Sequence, residues 1–124
     1  MESILTSTKR FAGLGEDYEH FDPEIIMYIN SILLNLKQIG IGPPEGFVIS
    51  DESDMWEDFI PDNVVICEAA KEFVGTKVRL KFDPPLNASV LESLRNNIKE
   101  AEWRLCTEAE LLNTSGEEEI QNGE

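Results

Sequence analysis

The chain has 124 residues, room for one domain, and its 41% hydrophobic and 28% charged content is that of an ordinary globular protein. Ten basic residues against 25 acidic ones give a formal charge of −15, which opposes binding to phosphate backbones and to anionic membranes, because both require cationic side chains. No apolar run approaches the roughly 18 residues of a membrane span, and residues 1–6 lack the basic start, apolar core and cleavage site of a secretion signal, so a cytosolic setting is expected.

Ile4, Leu5, Thr8, Phe11 and Ala12 recur at helical spacing, with Ser3 as a cap and Gly13 as a stop. This predicts a first helix over 3–12. Residues 15–22 turn acidic and lose periodicity, as in a loop. They hold the single histidine, His20, with no candidate nucleophile beside it, which reads as a solvated loop histidine.

Asp22-Pro23-Glu24 is a strong helix start: a good N-cap, a proline suited to the first turn, and an acid at the positive end of the helix dipole. Ile25, Ile26, Ile29, Leu33, Leu36 and Ile39 then trace an apolar stripe, and Gly40 follows as a stop. A second helix over 23–39 is expected.

Residues 41–50 contain Gly42, Pro43, Pro44 and Gly46 and form a connector, with Phe47, Val48 and Ile49 as a short extended segment. That segment either adds a strand to a neighbour's sheet or is a loop pinned by apolar contacts. Asp54-x-x-Glu57 has the form of a capping box ahead of Trp56, Phe59 and Ile60, implying a short helix that ends at Pro61.

Asp62 is placed to cap a fourth helix whose stripe runs through Val65, Ala69 and Phe73. Lys77, Arg79 and Lys81 cluster at its C-terminal end. They either complement the helix dipole and pair on the surface or form a patch that meets an acidic partner subunit. Phe82-Asp83-Pro84-Pro85 then breaks the helix, because prolines donate no backbone hydrogen bond and clash with a preceding helical turn. Asn87 and Ser89 offer N-caps for a restart, and Ser89-x-x-Glu92 fits a capping box. The result is the elbow of an αα-hairpin over about 63–112.

The fifth helix carries the stripe Leu91, Leu94, Ile98, Ala101, Leu105, Ala109 and Leu112, at steps of 3, 4, 3, 4, 4 and 3 residues. Trp103 lies off that stripe and is either covered by another element or marks an interface. A helix over 63–82 spans about 30 Å and one over 88–112 about 37 Å. Leu105, Ala109 and Leu112 are therefore expected either to project past the bundle as a docking edge or to be covered by the first helix. Residues 113–124 are polar and acidic, with no stripe, and read as a disordered tail. The fold class expected is all-α: a small bundle of four to five helices over 1–112 with a long C-terminal αα-hairpin, an extended apolar connector loop and a flexible acidic tail.

Recognisable chemistry is absent. Cys67 and Cys106 fall within helical patterns and are expected to be buried free thiols. No Cys/His cluster has metal-ligand spacing, no glycine motif cradles phosphate, and Asp51-Glu52-Ser53-Asp54 lacks the glycine of a calcium loop. No catalytic residue, metal or cofactor is assigned. From the residues alone, an acidic helical interaction protein is the reading. A DNA-mimicking inhibitor of a basic nucleic-acid enzyme would share that charge.

The order of segments resembles a known family. The carrying residues are Ile4-Leu5-Thr6 with Lys9, Phe21-Asp22-Pro23-Glu24-Ile25-Ile26 with Ile29-Asn30, and Gly40-Ile41-Gly42 with Gly46-Phe47 and Trp56. They continue with Val78-Arg79-Leu80-Lys81-Phe82-Asp83-Pro84-Pro85 and Glu102-Trp103-Arg104-Leu105. Over residues 3–106 the chain resembles the head-tail connector, or head-completion adaptor, proteins of long-tailed bacteriophages. The resemblance implies a helical structural subunit of the virion, assembled in the host cytoplasm, without catalysis. Such a subunit forms a homo-oligomeric ring under the portal protein, extends a channel through which DNA passes without specific binding, and offers a platform to the next connector or tail protein. The family fixes no interface residues. The candidates inferred for subunit contacts are Phe47, Val48, Ile49 and Trp56 on one face, Lys77, Arg79 and Lys81 on another, and Trp103. The candidates for portal docking are Leu105, Ala109 and Leu112.

Overall fold

A computed structural model describes residues 2–82 and 84–122, with side chains through Leu112. Five helices follow in order: α1 (Ile4–Phe11), α2 (Asp22–Gln38), α3 (Trp56–Phe59), α4 (Val64–Phe82) and α5 (Ala88–Asn122). Among the described residues there is no strand, only one isolated antiparallel bridge between Ser3 and Met55. The expected all-α class and the hairpin are present. Helix α5 does not stop near 112 but continues through Asn122, into the stretch expected as a disordered tail, whose side chains lie outside the described ones.

Helix α4 is the centre of the bundle and packs against α1, α2 and α5. Its buried face carries Ile66, Ala70, Phe73, Val74 and Val78. These meet the α5 stripe, of which Leu94, Ala101, Leu105 and Ala109 are buried and Ile98 is half-buried against the core. Gly75 lets α1 approach α4 closely: a Cβ built there would lie 2.7 Å from the Phe11 ring.

Helix starts follow tertiary demands where these compete with local ones. Ser3 caps α1 as expected, its Oγ accepting from Thr6 N–H. Asp22 does not cap α2. Phe21 takes that position, and the Asp22 carboxylate is drawn 2.8 Å from the buried Lys9 ammonium, which also donates to the Glu16 carbonyl at 2.9 Å. The capping box at Asp54 and Glu57 shifts by one residue. Met55 precedes α3 and donates to Asp58 at 3.3 Å, while Asp54 accepts from Ser50 N–H. Asn63, not Asp62, caps α4 by accepting from Ile66 N–H at 3.0 Å. Asn87, not Ser89, starts α5, accepting from both Ser89 and Val90 N–H.

Two corrections concern the C-terminal end. Leu105 and Ala109 belong to the core and form no uncovered edge. The loop before α4 continues the cover where that helix begins: Leu112 shares an apolar recess of about 380 Å³ with Phe59, Ile60, Asn63 and Ile66. Leu112 itself is half exposed, at 51%.

Candidate subunit interface

The connector segment is held inward more than outward. Ile49 and Trp56 are buried, and Phe47 is half-buried with its ring centroid 5.4 Å from that of Phe59. Trp56 is an anchor of the fold: its Nε1–H donates to Ser7 Oγ at 2.8 Å and its backbone N–H to Glu2 O at 3.0 Å. Both backbone groups of Ile49 are taken by the Asn30 side chain, so Ile49 cannot template a strand for a neighbour. Ile49 and Trp56 are thus core residues, and of the four candidates on this face only Val48 stands out into solvent, at 69% exposure.

The cationic end is larger than its three expected members. Of ten basic residues, Lys9, Arg10, Lys71 and Arg104 form ion pairs. Among the described residues, the other six have no carboxylate within the 4.0 Å of an ion pair. Five of those six, Lys77, Arg79, Lys81, Arg95 and Lys99, fall on the elbow half of the hairpin, and the sixth is Lys37. Lys77 lies over the Phe73 ring, 4.8 Å from its centroid, and is half-buried; Lys81, Arg95 and Lys99 are exposed. Arg95 and Lys99 were not expected. Their signal was present in composition, since residues 77–99 carry five basics against Asp83 and Glu92 in a chain of charge −15. Beyond the elbow, Leu86 is fully exposed and Val90 partly so.

A groove of about 820 Å³ opens between α1, the N-terminal half of α4 and the C-terminal half of α5. Phe11, Val64, Val65 and Trp103 line it and remain exposed. Trp103, left open by its position off the stripe, is thus a groove residue with 69% exposure. The charged lining is Glu2, Glu68, Glu72 and Glu108 against Lys71 and Arg104, a surplus of two carboxylates. Lys71 reaches both Glu2 and Glu68 at 2.9 Å, and Arg104 lies 3.7 Å from Glu72. Partial burial disfavours the Lys71 ammonium, but hydrogen bonds to Glu2 and Glu68 outweigh it and hold its pKa above the ordinary lysine value. Glu108 has no such partner among the described residues.

The His20 ring packs edge-on against Phe21, 4.8 Å between centroids, in an exposed loop. Among the described residues no group of three or more His, Cys, Asp or Glu could hold a metal ion, and no helix is long and apolar enough to cross a membrane. Both cysteines are free thiols, but only Cys67 is buried as expected, which raises its pKa; Cys106 is partly exposed. The unit thus carries an acidic-rimmed apolar groove at one place and, at another, a cationic elbow whose five basic side chains form no ion pair among the described residues. A family model described as "Phage connector protein" matches residues 4–111, from the first residue of α1 well into α5. The chain belongs to the phage connector protein family, and its role is a structural one in the virion. Searches of curated proteins and of solved structures find no match.

Proposed function

We propose that the chain is a head-tail connector subunit that forms a ring beneath the portal of the DNA-filled head, extends the DNA channel and carries the docking platform for the next connector or tail protein. The carrying observation is the family match over 4–111, which covers the first four helices and most of the fifth. The charge supports it: residues 45–62 hold seven carboxylates and no basic side chain, so that stretch beside passing DNA offers nothing to retain a phosphate. The portal contact falls to the exposed Leu111 and Leu112 at the end of the described side chains of α5, with the adjoining recess. In this role the protein works by binding and positioning and performs no catalysis.

Particle fractionation tests the reading. The protein is expected to co-sediment with portal-bearing heads, and heads made without it are expected to stay tailless until the purified chain is added back. Recovery of the chain only with a soluble basic nucleic-acid enzyme would replace this reading with the inhibitor one. A variant lacking residues 113–124 keeps the buried α5 positions Leu94, Ala101, Leu105 and Ala109 and separates docking by the last turns from docking by Leu111 and Leu112.

A further inference from the structure

The elbow and the groove have complementary surfaces. Pro84 and Pro85 fix the backbone that leads to Leu86, so an exposed leucine is presented on a stiff turn with little ordering cost on binding. Arg79 and Lys81 precede that turn on the last turns of α4, and Arg95 and Lys99 follow it on α5. The groove offers the counterpart: apolar Phe11, Val65 and Trp103, with Glu68, Glu72 and Glu108 along it. Its volume of about 820 Å³ holds more than one side chain.

One copy cannot satisfy both surfaces. Val65 and Phe82 are separated by 17 residues of continuous α4, about 25 Å at 1.5 Å per residue, and the hairpin keeps the elbow away from its own groove. On α5, Arg95 and Arg104 are nine positions apart, which at about 100° per residue puts them on opposite sides of the helix, whereas Lys99 and Trp103, four apart, share one side at successive turns. It is the separation along the hairpin that lets elbow and groove meet different neighbours, as a head-to-tail contact requires.

We infer that the groove is filled by the elbow of a second copy of this chain, with Leu86 seated against Trp103 and the Arg79 and Lys81 cations meeting the groove carboxylates. The inference rests on the ring reading above and names the contact that builds the ring. It uses the acidic surplus of the groove and the elbow cations that form no ion pair among the described residues together, so that each copy neutralises part of its neighbour.

Mixing two single-face variants of the full chain tests this. Leu86→Asp removes the apolar elbow and keeps the groove; Trp103→Asp does the reverse. Both positions are exposed, and circular dichroism checks that each variant is folded. In analytical ultracentrifugation at low salt the unaltered chain is expected to associate with rising concentration, and high salt should weaken that association. Each variant alone is expected to remain monomeric. A one-to-one mixture is expected to form heterodimers and nothing larger, since only one intact elbow and one intact groove then meet. Arg79→Glu with Lys81→Glu should weaken self-association about tenfold or more. Overturning results are an unaltered chain that is monomeric at every concentration, a Leu86→Asp chain that associates normally, or a mixture without heterodimers. Capture of the same proteins by portal-bearing heads separates the two levels. If heads incorporate the chain while the mixing test fails, the contact is wrong and the connector reading stands. If heads never capture it while the mixing test succeeds, the connector reading is wrong and the contact stands.

Discussion

The side chain of Asn30 on α2 hydrogen-bonds to both backbone groups of Ile49: the Ile49 N–H donates to Oδ1 at 2.7 Å, and Nδ2 donates to the Ile49 carbonyl at 3.1 Å. One amide side chain thus does for a lone extended segment what a neighbouring strand would do. It lets the connector carry Ile49 into the core without leaving its peptide groups unpaired. Asn30→Ala is expected to cost about 1–3 kcal/mol, the desolvation penalty of the groups left behind. Hydrogen exchange should show the Ile49 amide losing protection before the amides of α2.

Gly75 and Phe11 are a size-matched pair. Gly75→Ala places a methyl 2.7 Å from the Phe11 ring, and overpacking of this kind costs about 1–3 kcal/mol. Chemical denaturation of Gly75→Ala, of Phe11→Leu and of the double variant should reveal coupling, with the double variant more stable than the sum of the two single effects predicts.

Leu105 and Trp103 lie two positions apart on α5 and do opposite jobs. Leu105 is fully buried, and Leu105→Ala is expected to cost about 2–5 kcal/mol in denaturant unfolding. Trp103→Ala, at an exposed rim, should change stability by no more than about 0.5 kcal/mol. It should nonetheless impair self-association. A Trp103→Ala chain that unfolds as readily as Leu105→Ala would show that the indole is structural.

The helices were legible in the sequence because their signals are local. Ser3, Gly13, Gly40 and the Pro84-Pro85 break set boundaries within a residue or two, and Gly13 and Gly40 adopt the positive φ that suits glycine after a helix. The caps at Asp22 and Asp54 were not legible, because Lys9 and the Ser50 turn claim those carboxylates from other parts of the chain. Nor was the groove, since Phe11, Val65 and Trp103 come from three helices far apart in sequence and meet only after α1 and α5 pack on α4. Ile49, Trp56, Leu105 and Ala109 illustrate the same limit. Apolar periodicity shows that a residue seeks cover, and only the packing of α4 and the loop ahead of it shows that the cover is internal.

Cys67 gives the fold a dependence on alkaline pH. Its burial raises the thiol pKa above the usual 9.0, so the folded chain holds that proton more tightly than the unfolded chain does. The corresponding stability is complete below about pH 9 and is lost as pH rises through the folded-state value. Denaturation midpoints measured across that range should fall for the native sequence and fall less for Cys67→Ala. Thiol alkylation at neutral pH should label Cys106, which is partly exposed, before Cys67.

The central claim is that this chain is a connector held at the portal vertex, and imaging of heads carrying the tagged protein tests it most directly. Cryo-electron microscopy of DNA-filled heads incubated with the full chain is predicted to show helical density the size of this bundle repeated around the portal axis, with neighbouring copies joined elbow to groove. Heads whose portal vertex stays bare while the chain remains in the soluble fraction would contradict the account.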